Sequence, residues 1–365
     1  MDTLKLLREE IDALDKEMLR LFEARMAVSG RVGDYKAKNN IPILNAAREQ
    51  QVLDGVAERL LDKSLAPYAR DFYESVMRIS RRYQADRTKT VKTLSYLGAA
   101  GSFSHEAART YADALGAADA IGFDTMEEVF RAVLNGQADY AVIPFENSTT
   151  GPVTDVYDLV LKYDLYIVGE LFLPVHQHLL AAEGAKISDI TKVYSHPQAL
   201  MQCREFLNTL HAQKIPYHNT AMSAKFVAES GKRDIAAVAG MGAAAAYGLT
   251  VLAANINSNL TNITKFIVMG KAEEISDTAD KTSVVVSIDH KAGELFRILE
   301  IFAKHHVNLL KIESRPDKQM PFSYLFFIDF AGNVWTDGPG KDALLELRAH
   351  VNRLKFLGCY KGAEK

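Results

Sequence analysis

Residues Asp139 to Val153 read DYAVIPFENSTTGPV, and the abrupt change from apolar to polar within them decides the fold. Tyr140 to Ile143 has the composition of a buried parallel strand, and Pro144, which lacks an N–H, is expected to end its ladder. Gly151 and Pro152 are expected to open a helix, because proline costs nothing at the first helical position. Glu146, Asn147, Ser148, Thr149 and Thr150 then fall at a strand's carboxyl end. That edge is where α/β sheets receive ligands, and a helix N-terminus there attracts anions. A polar surface loop is the other reading of the run.

On either side the rhythm is α/β: strand Thr93 to Leu97, a helix from Ser104, a strand near Ile121, and a helix opened by Thr125 with Glu128 as its capping-box partner and closed near Gly136. Three further polar stretches are expected at strand-to-helix junctions: GAAGSFSHEA (98–107), YSHPQAL (194–200) and NLTNITKF (259–266). With the first stretch they would bring N–H groups, hydroxyls or a cation to one cleft, as in a two-lobed domain that clasps a small carboxylate. His105 and His196 read foremost as capping or packing histidines.

The N-terminal region has a different period. Apolar residues at Leu4, Leu7, Ile11, Leu14, Met18, Leu21, Val28, Val32 and Tyr35 alternate steps of three and four, with Arg25 filling the gap, so one helix is expected from Thr3 to Lys38. At 1.5 Å per residue it would be roughly 50 Å long, more than a small domain buries alone, and we expect the module to complete its core by dimerising. Helices about Ala46 to Leu61 and Ala66 to Gln84 follow. A guanidinium at Arg25 must be paired or must face a ligand; an ion pair between subunits is one answer. Arg8, Lys36, Arg48 and Glu49, with Ser80 and Gln84 on the third helix, make a dianion pocket the other. Residues 85–92 (ADRTKTVK) read as a linker.

After a second polar linker, 273–281, the order is strand, helix, strand, strand, helix, strand: 283–288, 293–305, 307–315, 324–330, 341–352 and 356–360. That is the ferredoxin-like βαββαβ order. Across 365 residues, a net charge of -3 without a long basic run argues against nucleic acid as the main partner. Cys203 and Cys359 are too few for a disulfide framework and suit a reducing cytosol. The start, MDTLKLLREEID, has no continuous apolar core of a signal peptide, and Gly240 to Ile256 reads as a packed helix and strand and not a membrane span, so a cytoplasmic protein is expected.

Three resemblances follow from these residues. The spacing of Arg8, Arg25, Lys36, Arg48-Glu49, Ser80 and Gln84 resembles the all-α chorismate mutase domain over 1–86. The resemblance implies that chorismate rearranges to prephenate without proton transfer. Arg8, Arg25 and Arg48 would hold the carboxylates and nearby oxygens, Lys36 and Gln84 the ether oxygen, and Glu49 a hydroxyl, with Asn45 standing where some relatives have aspartate. The four polar stretches resemble prephenate dehydratase over 93–272, implying a fold like the periplasmic binding proteins. There the substrate loses its ring carboxylate as CO2 and its C4 hydroxyl as water. Thr264 of the Thr264-Lys265-Phe266 motif would be the donor to that hydroxyl, Lys265 would replace a family arginine, and Ser102, Ser104, Glu146, Asn147, Ser148, Thr149, His196 and Gln198 would share the cleft. GELF (293–296) and ESRP (313–316) resemble the ACT regulatory domain over 282–363, implying phenylalanine bound between paired domains by Gly293, Glu294, Leu295, Glu313, Ser314 and Arg315. No metal or organic cofactor is implied. The reading is a bifunctional mutase and dehydratase, a homodimer or higher homo-oligomer, feedback-inhibited by L-phenylalanine. An arogenate-preferring dehydratase and a non-catalytic amino-acid sensor are the alternatives.

Overall fold

The computed structural model describes residues 3–39, 41–88, 91–116, 118–318 and 323–363. The chain divides into two compact units, one up to Val91 and one from Lys92 onward. The expected 93–272 and 282–363 domains therefore lie together in the second unit.

The first unit is α1 (Thr3–Lys38), α2 (Ala46–Arg59) and α3 (Ala66–Thr88). Helix α1 has the expected bounds: nothing in it breaks a helix before Pro42, and Lys36 and Lys38 in its last turn suit the negative end of the helix dipole. Its buried side is not the expected seam. Met26, Ser29, Gly30 and Gly33 are buried, whereas Leu4, Leu7, Ile11, Leu14, Met18, Leu21 and Tyr35 are all exposed. Gly33 permits the close approach of α3, since a Cβ there would stand 2.9 Å from Gln84 Cγ. Asn45 caps α2 by accepting from Arg48 N at 3.0 Å. The expected linker is shorter than the sequence suggested. ADRT holds neither glycine nor proline, and α3 continues through it to Thr88; Lys89 and Thr90 lie outside the described residues.

The second unit opens with β1 (Lys92–Leu97), α4 (Phe103–Ala114), β2 (Ala118–Phe123), α5 (Met126–Leu134), β3 (Tyr140–Asn147), β4 (Gly151–Pro152), α6 (Thr154–Lys162) and β5 (Tyr166–Pro174). The chain then enters a second lobe with β6 (His178–Ala181), β7 (Lys192–Ser195), α7 (Pro197–Gln202), α8 (Arg204–Leu207), β8 (Gln213–Pro216), α9 (Thr220–Ser230), β9 (Ile235–Ala239), α10 (Met241–Tyr247) and β10 (Thr250–Ala253). It returns through β11 (Ile263–Gly270). The first sheet runs β2-β1-β3-β11-β5 with β4 beside β3, and the second runs β10-β6-β9-β7-β8. The lobes meet where Gly101 adopts φ +79°, and a Cβ on it would stand 2.6 Å from Ala243 Cα.

Three local expectations need correction. Pro144 does not end its strand: β3 continues to Asn147, parallel to β1 and antiparallel to β11. A bulge sets Phe266 opposite Pro144 and Lys265 opposite Glu146, and proline is tolerated in a sheet at such bulges. Pro152 does not start a helix either. Gly151 at φ +80° turns the chain so that Gly151 and Pro152 pair back on Asn147 and Glu146, and α6 begins only at Thr154. NLTNITKF leads from a loop into strand β11, not into a helix.

The last part is β12 (Lys281–Ser287), α11 (Glu294–Lys304), β13 (Leu309–Pro316), β14 (Tyr324–Ala331), α12 (Pro339–His350) and β15 (Arg353–Tyr360), in the antiparallel order β13-β14-β12-β15 of a ferredoxin-like fold. Val285, Leu325, Phe327, Leu357 and Tyr360 of this sheet share a core with Phe130, Ile143, Phe145 and Tyr157 of the first lobe. That continuous core makes the second unit one body.

Candidate functional sites

The helical unit holds a cavity of about 490 Å³ lined by Arg25, Lys36, Asn45, Arg48, Glu49, Ser80 and Gln84, seven of the eight side chains expected there. Ser29 and Arg81 line it as well. Arg25 is half-buried and donates to Ser80 Oγ, so among the described residues its charge stays at the cavity wall with a neutral partner. Gln84 Nε2 donates to Ser29 Oγ at 2.9 Å. Glu49 forms an ion pair with Arg81, which the sequence reading missed. Arg81 stands four residues after Met77, which also lines the cavity, on the same face of α3, and that spacing was the available signal. Arg8 is the exception. It is exposed near the far end of α1 and does not line the cavity of its own chain.

Between the lobes of the second unit lies a cleft of about 300 Å³, lined by Ser104, Asn147, Thr150, Gln177, His196, Gln198, Gln202, Asn219, Thr220, Asn262, Thr264 and Phe266 among others. Asn147 organises it. Its Oδ1 accepts from Thr149 N at 3.0 Å and Thr150 N at 3.1 Å, which shapes the turn, while its Nδ2 donates to Thr264 Oγ1 at 2.9 Å. With its oxygen taken as acceptor, the Thr264 hydroxyl is free to turn its own hydrogen toward a ligand. His196 both caps α7, with Nδ1 accepting from Gln198 N at 3.3 Å, and lines the cleft. His105 accepts from Gly101 N at 3.1 Å and packs on Tyr96; burial, then Arg109, holds its pKa below the ordinary value.

Several expected members do not line this cleft. Successive side chains on a strand point to opposite faces, so Lys265 turns away from the side that Thr264 and Phe266 share. It is buried against Glu170 at 3.1 Å and Asp329 at 3.2 Å, and Lys281 completes the group at 2.8 Å from Glu170. Burial works against the Lys265 charge, but Asp329 and Glu170 outweigh it and its pKa is raised. Glu146 faces the same rear side and pairs with Lys311 of β13 at 2.6 Å. Ser148 also faces rearward, with its hydroxyl accepting from Ile263 N at 2.9 Å. Ser102 caps α4 through His105 N, and Thr149 bonds Asn262, so both hold the walls without lining the cleft. No lysine, arginine, aspartate or glutamate lines the cleft among the described residues.

In the C-terminal part, Gly293 caps α11 at φ +90°, and Glu294 pairs with Arg297 at 3.1 Å. Leu295 lines a small cavity with Tyr324 and Phe326. Glu313, Ser314 and Arg315 stand on edge strand β13, outside that cavity, so GELF and ESRP do not share a pocket within one chain. Phe296, Leu299, Leu310 and Ile312 leave an apolar surface exposed on α11 and β13.

Of the cleft residues that the sequence reading missed, Asn219 carried a signal, standing just before the helical run TAMSAKFVAES as a cap. Gln177 carried none, because its place depends on where two connecting segments run side by side between the lobes.

Comparison with known proteins agrees with this division. The family model for chorismate mutase type II matches residues 7–85, and that for prephenate dehydratase matches residues 94–274. A bifunctional chorismate mutase/prephenate dehydratase of Aquifex aeolicus is 36% identical over 375 aligned residues, covering 100% of this chain and 99% of that protein. Arogenate dehydratase/prephenate dehydratase 1 of Arabidopsis thaliana is 38% identical over 76% of this chain and 74% of its own. The crystal structure of prephenate dehydratase from Arthrobacter aurescens, in complex with L-Phe, is 34% identical, with a TM-score of 0.67 over 74% of this chain and 89% of that one. Two family domains in order, matched along the full length by a relative of the same organisation, identify the chain as a member of the bifunctional chorismate mutase/prephenate dehydratases, with both activities in phenylalanine biosynthesis.

Proposed function

We propose that the helical cavity is the mutase site and the interlobe cleft the dehydratase site. In the first, Arg25 and Arg48 hold the substrate carboxylates while Lys36 and Gln84 face the ether oxygen, which gains negative charge as its bond breaks. Arg8 serves the cavity of a second copy, and the exposed apolar seam of α1 is covered in that homodimer. In the cleft, Thr264 donates to the departing C4 hydroxyl. The N-termini of α4 and α9, marked by Ser104 and Asn219, receive carboxylate from opposite lobes. Loss of CO2 leaves its bonding electron pair to the ring as the C4–O bond breaks. The departing hydroxide takes up one proton passed through Thr264 Oγ1 and replaced from solvent, so that it leaves as water, and aromatisation drives both losses.

The observation that carries this reading is the Asn147–Thr264 pair, a hydroxyl that accepts from an amide and keeps its own hydrogen to donate outward. L-phenylalanine acts between two C-terminal domains that bring GELF of one copy to ESRP of the other, in agreement with the exposed α11 and β13 surface. Cys203 and Cys359, both buried as free cysteines, fit a cytoplasmic enzyme. Supplying chorismate and assaying prephenate and phenylpyruvate separately tests the assignment. Thr264→Ala should lower dehydratase turnover about 100-fold to 1,000-fold and leave the mutase intact. Normal phenylpyruvate formation by that variant would move the chemistry elsewhere.

A further inference from the structure

Gln177 stands where the chain leaves the first lobe for the second. Its backbone is fixed on both sides: its N–H donates to Asn257 Oδ1 at 3.0 Å, and its carbonyl accepts from Ile256 N at 2.8 Å. The residue is 3% exposed and its side chain lines the cleft that holds Thr264. Yet Oε1 is buried with no hydrogen-bond partner among the described residues. A buried acceptor left bare is costly, and native proteins keep such groups where something else completes them.

The chemistry of the substrate selects what completes it. Prephenate as a dianion carries two carboxylates and a ketone, all acceptors. Its C4 hydroxyl is its one O–H donor. We propose that Gln177 Oε1 accepts the hydrogen of that hydroxyl while Thr264 donates to its oxygen. This rests on the cleft being the dehydratase site. Two contacts of opposite sense fix the rotation of the C–O–H group. The acceptor also raises electron density on the oxygen, so that it takes up a proton more readily as it departs as water. The backbone bonds to Asn257 and Ile256 keep the amide from retreating, which makes Gln177 a substrate-contacting residue built into the crossing between lobes.

The test uses full-length Gln177→Met, which keeps the side chain's length and removes its polar atoms. Prephenate turnover, mutase turnover and thermal melting are measured beside Thr264→Ala. The expected result is a fall of about 10-fold to 100-fold in dehydratase kcat with little change in KM, an unchanged mutase, and a melting temperature equal to or above that of the parent, since an unpaired buried acceptor has gone. Unchanged kcat would overturn the proposal. So would a change in KM alone, which would put Gln177 at the other end of the substrate. A lowered melting temperature with both activities lost would make Gln177 a structural residue and also overturn it. Should the methionine variant fail to fold, Gln177→His, which keeps an acceptor nitrogen, is expected to retain turnover within a few-fold, and loss of turnover in a folded histidine variant overturns the proposal. Normal turnover by Thr264→Ala is a separate failure, that of the cleft assignment itself.

Discussion

The cavity of the helical unit is lined by Arg25, Lys36, Arg48 and Arg81 against Glu49, whereas the described lining of the interlobe cleft contains no lysine, arginine or carboxylate. Chorismate and prephenate are isomers with two carboxylates each, so the difference cannot come from the charge of the ligand. It follows from what happens to that charge. The rearrangement keeps both carboxylates and adds negative charge at the ether oxygen, so cations that bind the substrate bind the transition state at least as well. The dehydratase must release one carboxylate as CO2. A cation seated on it would stabilise the charge that has to disappear, lowering the ground state and the rate together. Helix N–H groups, amides and hydroxyls orient the substrate while holding the departing charge less firmly than a full cation would. Lys265, the nearest cation to Thr264 in sequence, is turned to the rear and neutralised there by Glu170 and Asp329.

The largest effect expected from this contrast is on the cationic side. Arg25→Ala should lower mutase kcat/KM about 1,000-fold while dehydratase activity on supplied prephenate stays within a factor of about two. Chorismate loss and phenylpyruvate formation, assayed separately, measure the two. A comparable loss in both would mean that the pockets are not independent.

Arg8→Ala gives the next largest change. Arg8 and Arg25 lie about 25 Å apart along one straight helix at 1.5 Å per residue, too far for one small dianion to touch both. Each variant alone should be nearly inactive as a mutase. Unfolded together and refolded, they should recover roughly a quarter of the original sites, because half of a random mixture is mixed dimer and each mixed dimer has one intact site. No recovery in a mixture shown to contain the mixed dimer would leave α1's exposed seam without this explanation.

How far these sites were legible in the sequence follows from how local their determinants are. Helix α1 was readable because its period and the absence of proline lie within one segment, and the capping box at Thr125 and Glu128 for the same reason, whereas the cationic cavity draws on all three helices and was reached through the resemblance carried by its charge spacing. The rear placement of Lys265 was readable in principle from strand alternation, but treating Thr264-Lys265-Phe266 as a unit hid it, and that of Glu146 was hidden by the expectation that Pro144 ends its strand. The bulge at Pro144 was not, since it depends on pairing with β11, more than a hundred residues away. Gln177 becomes a site residue only because Asn257 and Ile256 return beside it. What the single chain shows of α1's seam is that its leucines are exposed, and the proposal of a second copy rests on that pattern.

A smaller change should invert the contrast. Gln198→Lys places a cation in the neutral cleft, where Gln198 is part of the lining. If neutrality matters as argued, prephenate should bind more tightly and react more slowly, with KM and kcat both falling, kcat by about tenfold. Steady-state kinetics on prephenate decide it. A rise in kcat would show that charge in this cleft assists the reaction and would remove the reason offered for its absence.

The smallest expected effect is the response to salt, and it needs no substitution. Raising the ionic strength from about 0.1 M to about 1 M with a weakly binding salt shortens the screening length from about 10 Å to about 3 Å. In the helical cavity Arg48 is exposed and Arg25 half-buried, so part of chorismate's attraction acts through screened solvent. Mutase KM should therefore rise several-fold. The cleft offers its dianion short-range N–H and O–H contacts, which salt barely weakens, and the chain's net charge of -3 repels the substrate at long range. Screening that repulsion works in the opposite direction, so dehydratase KM should change less than about twofold and in either sense. Neither kcat should move much, since the bound substrate is already within contact distance of its partners. Measuring both KM values across one salt series, with prephenate supplied directly for the second, compares the two pockets in a single protein sample. Parallel rises in the two would mean that cations guide prephenate into the cleft after all, and the electrostatic division between the pockets would then have to be abandoned.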